Sequence, residues 1–245
     1  MAVIRRKAGP DQPLPGPAIV AAVDGRSPPV RFPHPPAAAR AALDRLIARD
    51  PDLGRIEAQA GPLPWRVRAP GFAGLLQAIV GQQISNQAAA AIWRRLAALP
   101  GAGAPEGLLA LDETALRGAG LSRPKVAHAR ALAGAFADGT LRADALAALD
   151  DEAAIAAIAG VRGLGRWTAE IYLLFALARE DVFPAGDLAL AAAAAALKRL
   201  PERPKPPVLR AMAEAWRPSR ALAARLLWHH WRHVTGRPSM DDPPG

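Results

Sequence analysis

The chain has no cysteine, one tyrosine and three methionines among its 245 residues. Without cysteine there is no disulfide, no thiol nucleophile, no zinc–thiolate site and no cysteine-held iron–sulfur cluster. Aromatic residues are only 5% of the sequence, and the β-branched residues that favour strands are sparse as well. Alanine, the best helix former, supplies much of the 51% hydrophobic content, so the composition predicts an all-α fold. No apolar run reaches membrane length. The alanine-rich stretch from Asp187 to Leu200 is too short and ends in Lys198 and Arg199. The opening MAVIRRKAGPDQPLPGP has basic residues but no apolar segment behind them, which is not a signal-peptide pattern. The expectation is a soluble, cytoplasmic protein with no membrane partner.

Positive charge is what the chain has in excess. Lys and Arg number 31 against 22 Asp and Glu, a formal net charge of +9. That balance fits a polyanionic partner, nucleic acid being the commonest inside cells, although an arginine-rich composition also inflates basicity without function. Residues 1–36 are rich in Pro, Gly and Arg and read as an irregular arm, 37–234 as one helical domain and 235–245 as a tail. Pro36 to Arg49 reads as a helix stopped by Asp50-Pro51. The spacing of Phe72, Leu75, Leu76, Ile79 and Val80 predicts a helix from Gly71 that breaks at Gly81-Gln82-Gln83-Ile84. Ser85 then caps a helix through Ile92, Trp93 and Leu96. Ser122 is placed to cap another through Lys125 and Leu132. Asp150-Asp151-Glu152 opens one that reaches Ala159, with its acids at the positive end of the dipole. Arg166 to Ala178 is the next, and Pro184-Ala185-Gly186-Asp187 leads into the alanine-rich helix. Pro201 to Pro207 reads as a rigid linker and Val208 to Val234 as the last helices. The sum is a bundle of about ten short helices of ordinary length.

Between two of these helices, Gly163 and Gly165 flank Leu164. Glycine permits positive φ and leaves no Cβ in the way of a ligand. The amides of such a turn, and of the next helix's first residues, form an anion site at the positive end of a dipole. Arg166 and Thr168 are placed to add contacts to the same phosphate. An ordinary αα-hairpin would use the same glycines merely as turn residues.

The run G-V-R-G-L-G-R-W-T-A at 160–169 is followed by D-V-F-P-A-G-D-L at 181–188. With G-Q-Q-I-S at 81–85, G-L-S-R-P-K at 120–125 and W-R-P-S-R-A-L-A-A-R-L-L-W at 216–228, it resembles the helix-hairpin-helix DNA glycosylase superfamily. Within that superfamily it is similar to the 3-methyladenine DNA glycosylase II family, over roughly residues 37–234. The resemblance implies a helix-hairpin-helix glycosylase fold: two helical subdomains with duplex DNA across the cleft between them. Longer family members add an N-terminal β domain, which 36 irregular residues are too few to build. The implied activity is hydrolysis of the N-glycosidic bond of alkylated purines such as 3-methyladenine and 7-methylguanine in duplex DNA, acting as a monomer in base excision repair. A non-catalytic hairpin module that binds or bends DNA, a glycosylase for other damaged bases, and a lyase-active relative for oxidised bases are the alternatives.

Carried onto this sequence, the family's catalytic aspartate is Asp187. A carboxylate there would stabilise the positive charge that develops on the sugar as the bond breaks. Asp187 also sits where the N-cap of the alanine-rich helix belongs, and the two roles are compatible. Bifunctional relatives place a Schiff-base lysine where this chain has Trp167, so the resemblance implies base release without strand cleavage. The indole face of Trp167 suits a cationic alkylated base, although core packing is tryptophan's commoner use. Tyr172, on the same helix, is the second candidate lining residue. Gln83 occupies the family's wedge position, with Gln82 beside it, to fill the gap left by a flipped base. The resemblance also implies a monovalent cation held by the backbone of Ala159, Val161 and Leu164, and no iron–sulfur cluster. His229 and His233 have metal-ligand spacing but no evident third ligand, and Trp65 and Trp216 default to core. Ser219 stands where some relatives carry a further pocket tryptophan.

Overall fold

The computed structural model describes residues 30–236, so residues 1–29 of the arm and 237–245 of the tail lie outside the described residues. The architecture is helical, as expected, with thirteen α-helices among the described residues rather than about ten. Helices α1 (Ala37–Arg49) and α2 (Pro51–Ala60) come first. Then follow α3 (Gly71–Gly81), α4 (Asn86–Ala97), α5 (Pro105–Ala110), α6 (Glu113–Gly118), α7 (Arg123–Ala137), α8 (Ala143–Ala148) and α9 (Asp151–Ala159). Helices α10 (Arg166–Phe175), α11 (Leu188–Lys198), α12 (Pro206–Ala213) and α13 (Arg220–Thr235) complete the bundle, with a 3₁₀ turn at Glu214–Trp216. The expected caps form: Ser85, Ser122 and Asp150 accept from the amides of Ala88, Lys125 and Ala153.

Two expectations need correction. Asp50-Pro51 ends one helix and immediately starts another. Proline suits the first turn, where its missing N–H has no intrahelical acceptor, and the Asp50 carboxylate caps α2 through the Asp52 amide. That carboxylate also accepts from Lys198 Nζ at 2.6 Å and Trp216 Nε1 at 2.8 Å, drawing α11 and the 3₁₀ turn onto the α1–α2 corner. Secondly, the arm is not irregular throughout. Residues Val30–Phe32 (β1) pair antiparallel with Trp65–Val67 (β2), in the register Val30–Val67, Arg31–Arg66, Phe32–Trp65.

Two apolar clusters organise the bundle. One is built mainly by α3 to α9; the other joins α1 and α2 to α11, α12 and α13, bringing the two ends of the described chain together. Helix α10 serves both. Ala169, Tyr172 and Leu173 enter the first cluster, while Ile171, Leu174 and Phe175 enter the second. Arg225 stitches the ribbon to this shared wall. It donates to the carbonyls of Arg66 and Leu174 at 2.9 and 3.1 Å and stacks over Trp65 and Phe175. A planar guanidinium fork can do both at once.

Candidate active site

The N-terminus of α10 and the N-terminus of α11 meet at the junction of the two clusters. Asp187 is the N-cap of α11, its Oδ1 accepting from the amides of Ala189 and Leu190 at 2.8 and 2.9 Å. The same oxygen accepts from Trp228 Nε1 at 3.3 Å, and Oδ2 accepts from Trp167 Nε1 at 2.9 Å. Helix cap and candidate catalyst are therefore one side chain. No arginine or lysine bonds this carboxylate among the described residues; its partners are amides and indoles, which orient it without cancelling its charge. Trp167 is 37% exposed, an indole face open to solvent beside a fixed carboxylate, and Leu188 next to Asp187 is 67% exposed.

Trp228 joins the site without being singled out by its local sequence. It comes from α13, forty-one residues beyond Asp187, and its ring packs against Phe175 with centroids 5.7 Å apart. The only signal for it is its place at the end of the 216–228 motif.

Tyr172 is a correction. It is 3% exposed in the first cluster, and its hydroxyl oxygen accepts from the Gly71 amide at 2.7 Å. Burial pushes its phenol up from the usual range. Its hydroxyl fixes the start of α3 from within the first cluster.

The hairpin between α9 and α10 closes with the Leu164 amide donating to the Val161 carbonyl at 3.0 Å. Leu164 is buried, as its tuck between helices requires. The two glycines do different work. Gly163 has φ +90, and a Cβ on it would stand 2.1 Å from Cγ of His128, so it is there to let α7 approach. Gly165 is the N-cap of α10, bonds with no capping side chain, and has nothing within 4 Å of where a Cβ would lie. The first amides of α10 thus begin at an open, unobstructed helix end.

Both side chains expected to help that grip are engaged elsewhere. Thr168 is 3% exposed and faces the interior. Arg166 forms a fork with Glu152 at 2.9 and 2.6 Å and bonds Glu170 at 2.9 Å, on the wall of a polar cavity of about 390 Å³ shared with Arg210, Arg217 and Arg220. The hydrogen bond from Arg166 holds Glu152 below the usual carboxylate range, while burial pushes Glu170 up against the pull of Arg166. Arg166 anchors the hairpin's second helix to its first.

After α3 the chain turns sharply. Gln82 reaches across to donate to the Gly163 carbonyl at 3.0 Å, whereas Gln83 is exposed, with φ 58. Near the C-terminal end of α13, His229 bonds the Gly61 carbonyl at 2.9 Å and Arg232 at 3.1 Å, and no cluster of three or more ligand-type side chains occurs among the described residues. Trp216 is core, as expected, and Trp65 packs under Arg225. Ser219 is buried at the start of α13. No helix among the described residues is long and apolar enough to cross a membrane.

Residues 76–218 match the profile of the HhH-GPD superfamily base excision DNA repair protein. The chain belongs to the HhH-GPD superfamily. Among HhH-GPD relatives, DNA-3-methyladenine glycosylase 1 of Schizosaccharomyces pombe is 33% identical over 158 residues, 63% of this chain and 69% of that protein. DNA-3-methyladenine glycosylase 2 of Escherichia coli is 30% identical over 192 residues, 72% of this chain and 64% of its own length. The solved S. pombe 3-methyladenine DNA glycosylase in complex with abasic DNA superposes with TM-score 0.67 at 28% identity, covering 80% of this chain and 96% of that one. A DNA-3-methyladenine glycosidase from Bacillus halodurans gives 0.68 at 29% identity, covering 84% and 94%. The HhH-GPD match takes in the hairpin, Asp187 and the turn at 81–84.

Proposed function

We propose that this protein is a monofunctional DNA glycosylase that hydrolyses the N-glycosidic bond of 3-methyladenine, 7-methylguanine and related alkylated purines in duplex DNA, acting as a monomer. The observation that carries this reading is the Asp187 carboxylate, fixed by two helix amides and two indole N–H groups beside the exposed face of Trp167. The names of the HhH-GPD relatives support the same substrate class.

In this reading the extruded base stacks on Trp167, whose electron-rich face favours a cationic ring. As the C1′–N bond lengthens, its electron pair leaves with the base and the sugar becomes oxocarbenium-like. Asp187 stabilises that charge and orients the water that adds to C1′. A base already positive through alkylation departs neutral, so no general acid is required. No amine stands at position 167 to form an imine, so the strand is left uncut. Gln83 fills the vacated stack. The backbone amides that open α10 hold a phosphate, a role in which Arg166 and Thr168 side chains take no part. Ala159, Val161 and Leu164 would hold a monovalent cation through their carbonyls, adding positive charge beside that phosphate.

The test is release of 3-methyladenine and 7-methylguanine from methylated duplex DNA by the wild-type protein, with strand integrity checked on a denaturing gel. Free base with intact strands is the expected result. Salt-sensitive duplex binding without base release would instead favour a non-catalytic DNA-binding module.

A further inference from the structure

The turn after α3 and the glycine hairpin lean on one face of α7. Lys125 Nζ donates to the Val80 carbonyl at 2.6 Å, next to the end of α3. Gln82 Nε2 donates to the Gly163 carbonyl at 3.0 Å. His128 lies one turn beyond Lys125 and fills the space that a side chain on Gly163 would need. Burial lowers the Lys125 ammonium from its usual range, so the lysine gives up hydration to hold that carbonyl. Bracketed by these supports, Gln83 is held at φ 58, a conformation a non-glycine residue keeps only where its surroundings impose it.

A side chain that enters a base stack needs a backing that does not yield, because otherwise the turn retreats before the bases part. Gln82 supplies that backing from the hairpin itself, since its side chain donates to a carbonyl of the phosphate-gripping turn. We propose that Gln82 is a positioning residue rather than a DNA contact, and that with Lys125 it joins the intercalating turn to the hairpin as one rigid unit. Gripping the strand and inserting Gln83 are then a single movement. The inference rests on the glycosylase reading and deepens it.

Glu is nearly isosteric with Gln but has no N–H to donate, so Gln82→Glu deletes the hydrogen bond with little change of shape. Lys125→Met keeps the stem and deletes the ammonium. Single-turnover release of 3-methyladenine is measured on a fully paired duplex and on one where the methylated base sits in a bulge, already unstacked. Both variants are expected to slow the paired substrate about tenfold and the bulged one by less than about twofold, and the double variant to add little to either. Equal slowing on both substrates, or no slowing by Gln82→Glu, overturns the inference. Amide hydrogen exchange on the free protein gives a readout without chemistry: Gln82→Glu should speed exchange in 81–84 and 160–165 together and leave α5 unchanged. Faster exchange confined to 81–84 also overturns it. Should wild type release no base at all, the glycosylase reading fails while the exchange result still decides the coupling.

Discussion

Replacing Asp187 by Asn separates the carboxylate's charge from its duty as a helix cap. Asn caps helices as well as Asp does, so its Oδ1 can keep the amides of Ala189 and Leu190, now bonded at 2.8 and 2.9 Å. The new amide NH₂ then faces Trp167 Nε1 across the present 2.9 Å contact, donor against donor. Losing a hydrogen bond to a charged group is worth about 1.5–3 kcal/mol. Losing a negative charge at a helix N-terminus adds about 0.3–1 kcal/mol. Asp187 is only half-buried, so the low end applies, about 2 kcal/mol and a fall in Tm of roughly 4–8 °C for a chain of this size. The effect on chemistry is larger. Opposite unit charges about 4 Å apart at an effective dielectric near 20 attract by about 4 kcal/mol, roughly a thousandfold in rate. Single-turnover release of 3-methyladenine from methylated duplex should therefore fall about a thousandfold in a protein that still melts cooperatively and still binds an abasic-site duplex. A rate within tenfold of wild type would refute the assignment of Asp187 to the sugar's developing charge.

The two hairpin glycines should fail differently. Gly163→Ala must displace His128 and hold φ +90, and is expected to destabilise by at least about 2–4 kcal/mol in thermal melts. Gly165→Ala meets nothing within the protein, so it should melt like wild type yet bind duplex DNA several-fold more weakly by fluorescence anisotropy. Trp167→Phe keeps a stacking ring and loses only the bond to Asp187, which should slow base release less than about tenfold, whereas Trp167→Ala loses base stacking as well and should slow it about tenfold further. Burial lowers both His229 and His230 from the ordinary 6.5, so below that pH the unfolded chain takes up protons that the folded chain refuses. Stability is then complete above about pH 6.5 and lost as pH falls, by up to about 1.36 kcal/mol per pH unit for each histidine. Glu170, pushed up by burial, acts in the opposite sense, so the readout is the difference between wild type and His229→Gln: the variant's Tm should fall less steeply from pH 7 to 5, and parallel curves would contradict it.

The helix ends were legible because capping is local: Ser85, Ser122, Asp150 and Asp187 each stand three or fewer residues from the amide they hold. Asp50-Pro51 is ambiguous in sequence because the same dipeptide that stops a helix also satisfies the first turn of the next. The ribbon of Val30–Phe32 against Trp65–Val67 is only three residues long on each side and leaves no periodic trace. Within the candidate site, motif alone points to Asp187 and Trp167, which the fold brings together, while Tyr172 and Thr168 turn inward because neighbours on one helix face different ways. At about 100° per residue, Tyr172 lies roughly 140° around α10 from Trp167. Arg166 was drawn away by Glu152 and Glu170, the first of which lies across the hairpin. Trp228 reaches the carboxylate only through tertiary folding.

Of the six tryptophans, Trp167 is the most exposed, at 37%, and its ring nitrogen is hydrogen-bonded to the carboxylate at 187. Trp65, Trp93, Trp216 and Trp231 are buried or half-buried with no bond to that carboxylate and should emit steadily, while Trp228 shares it from a half-buried position. The protein therefore carries an intrinsic optical probe: a ligand that covers this one indole will quench or shift a separable part of the emission. Occupancy can be followed in real time without attaching a dye.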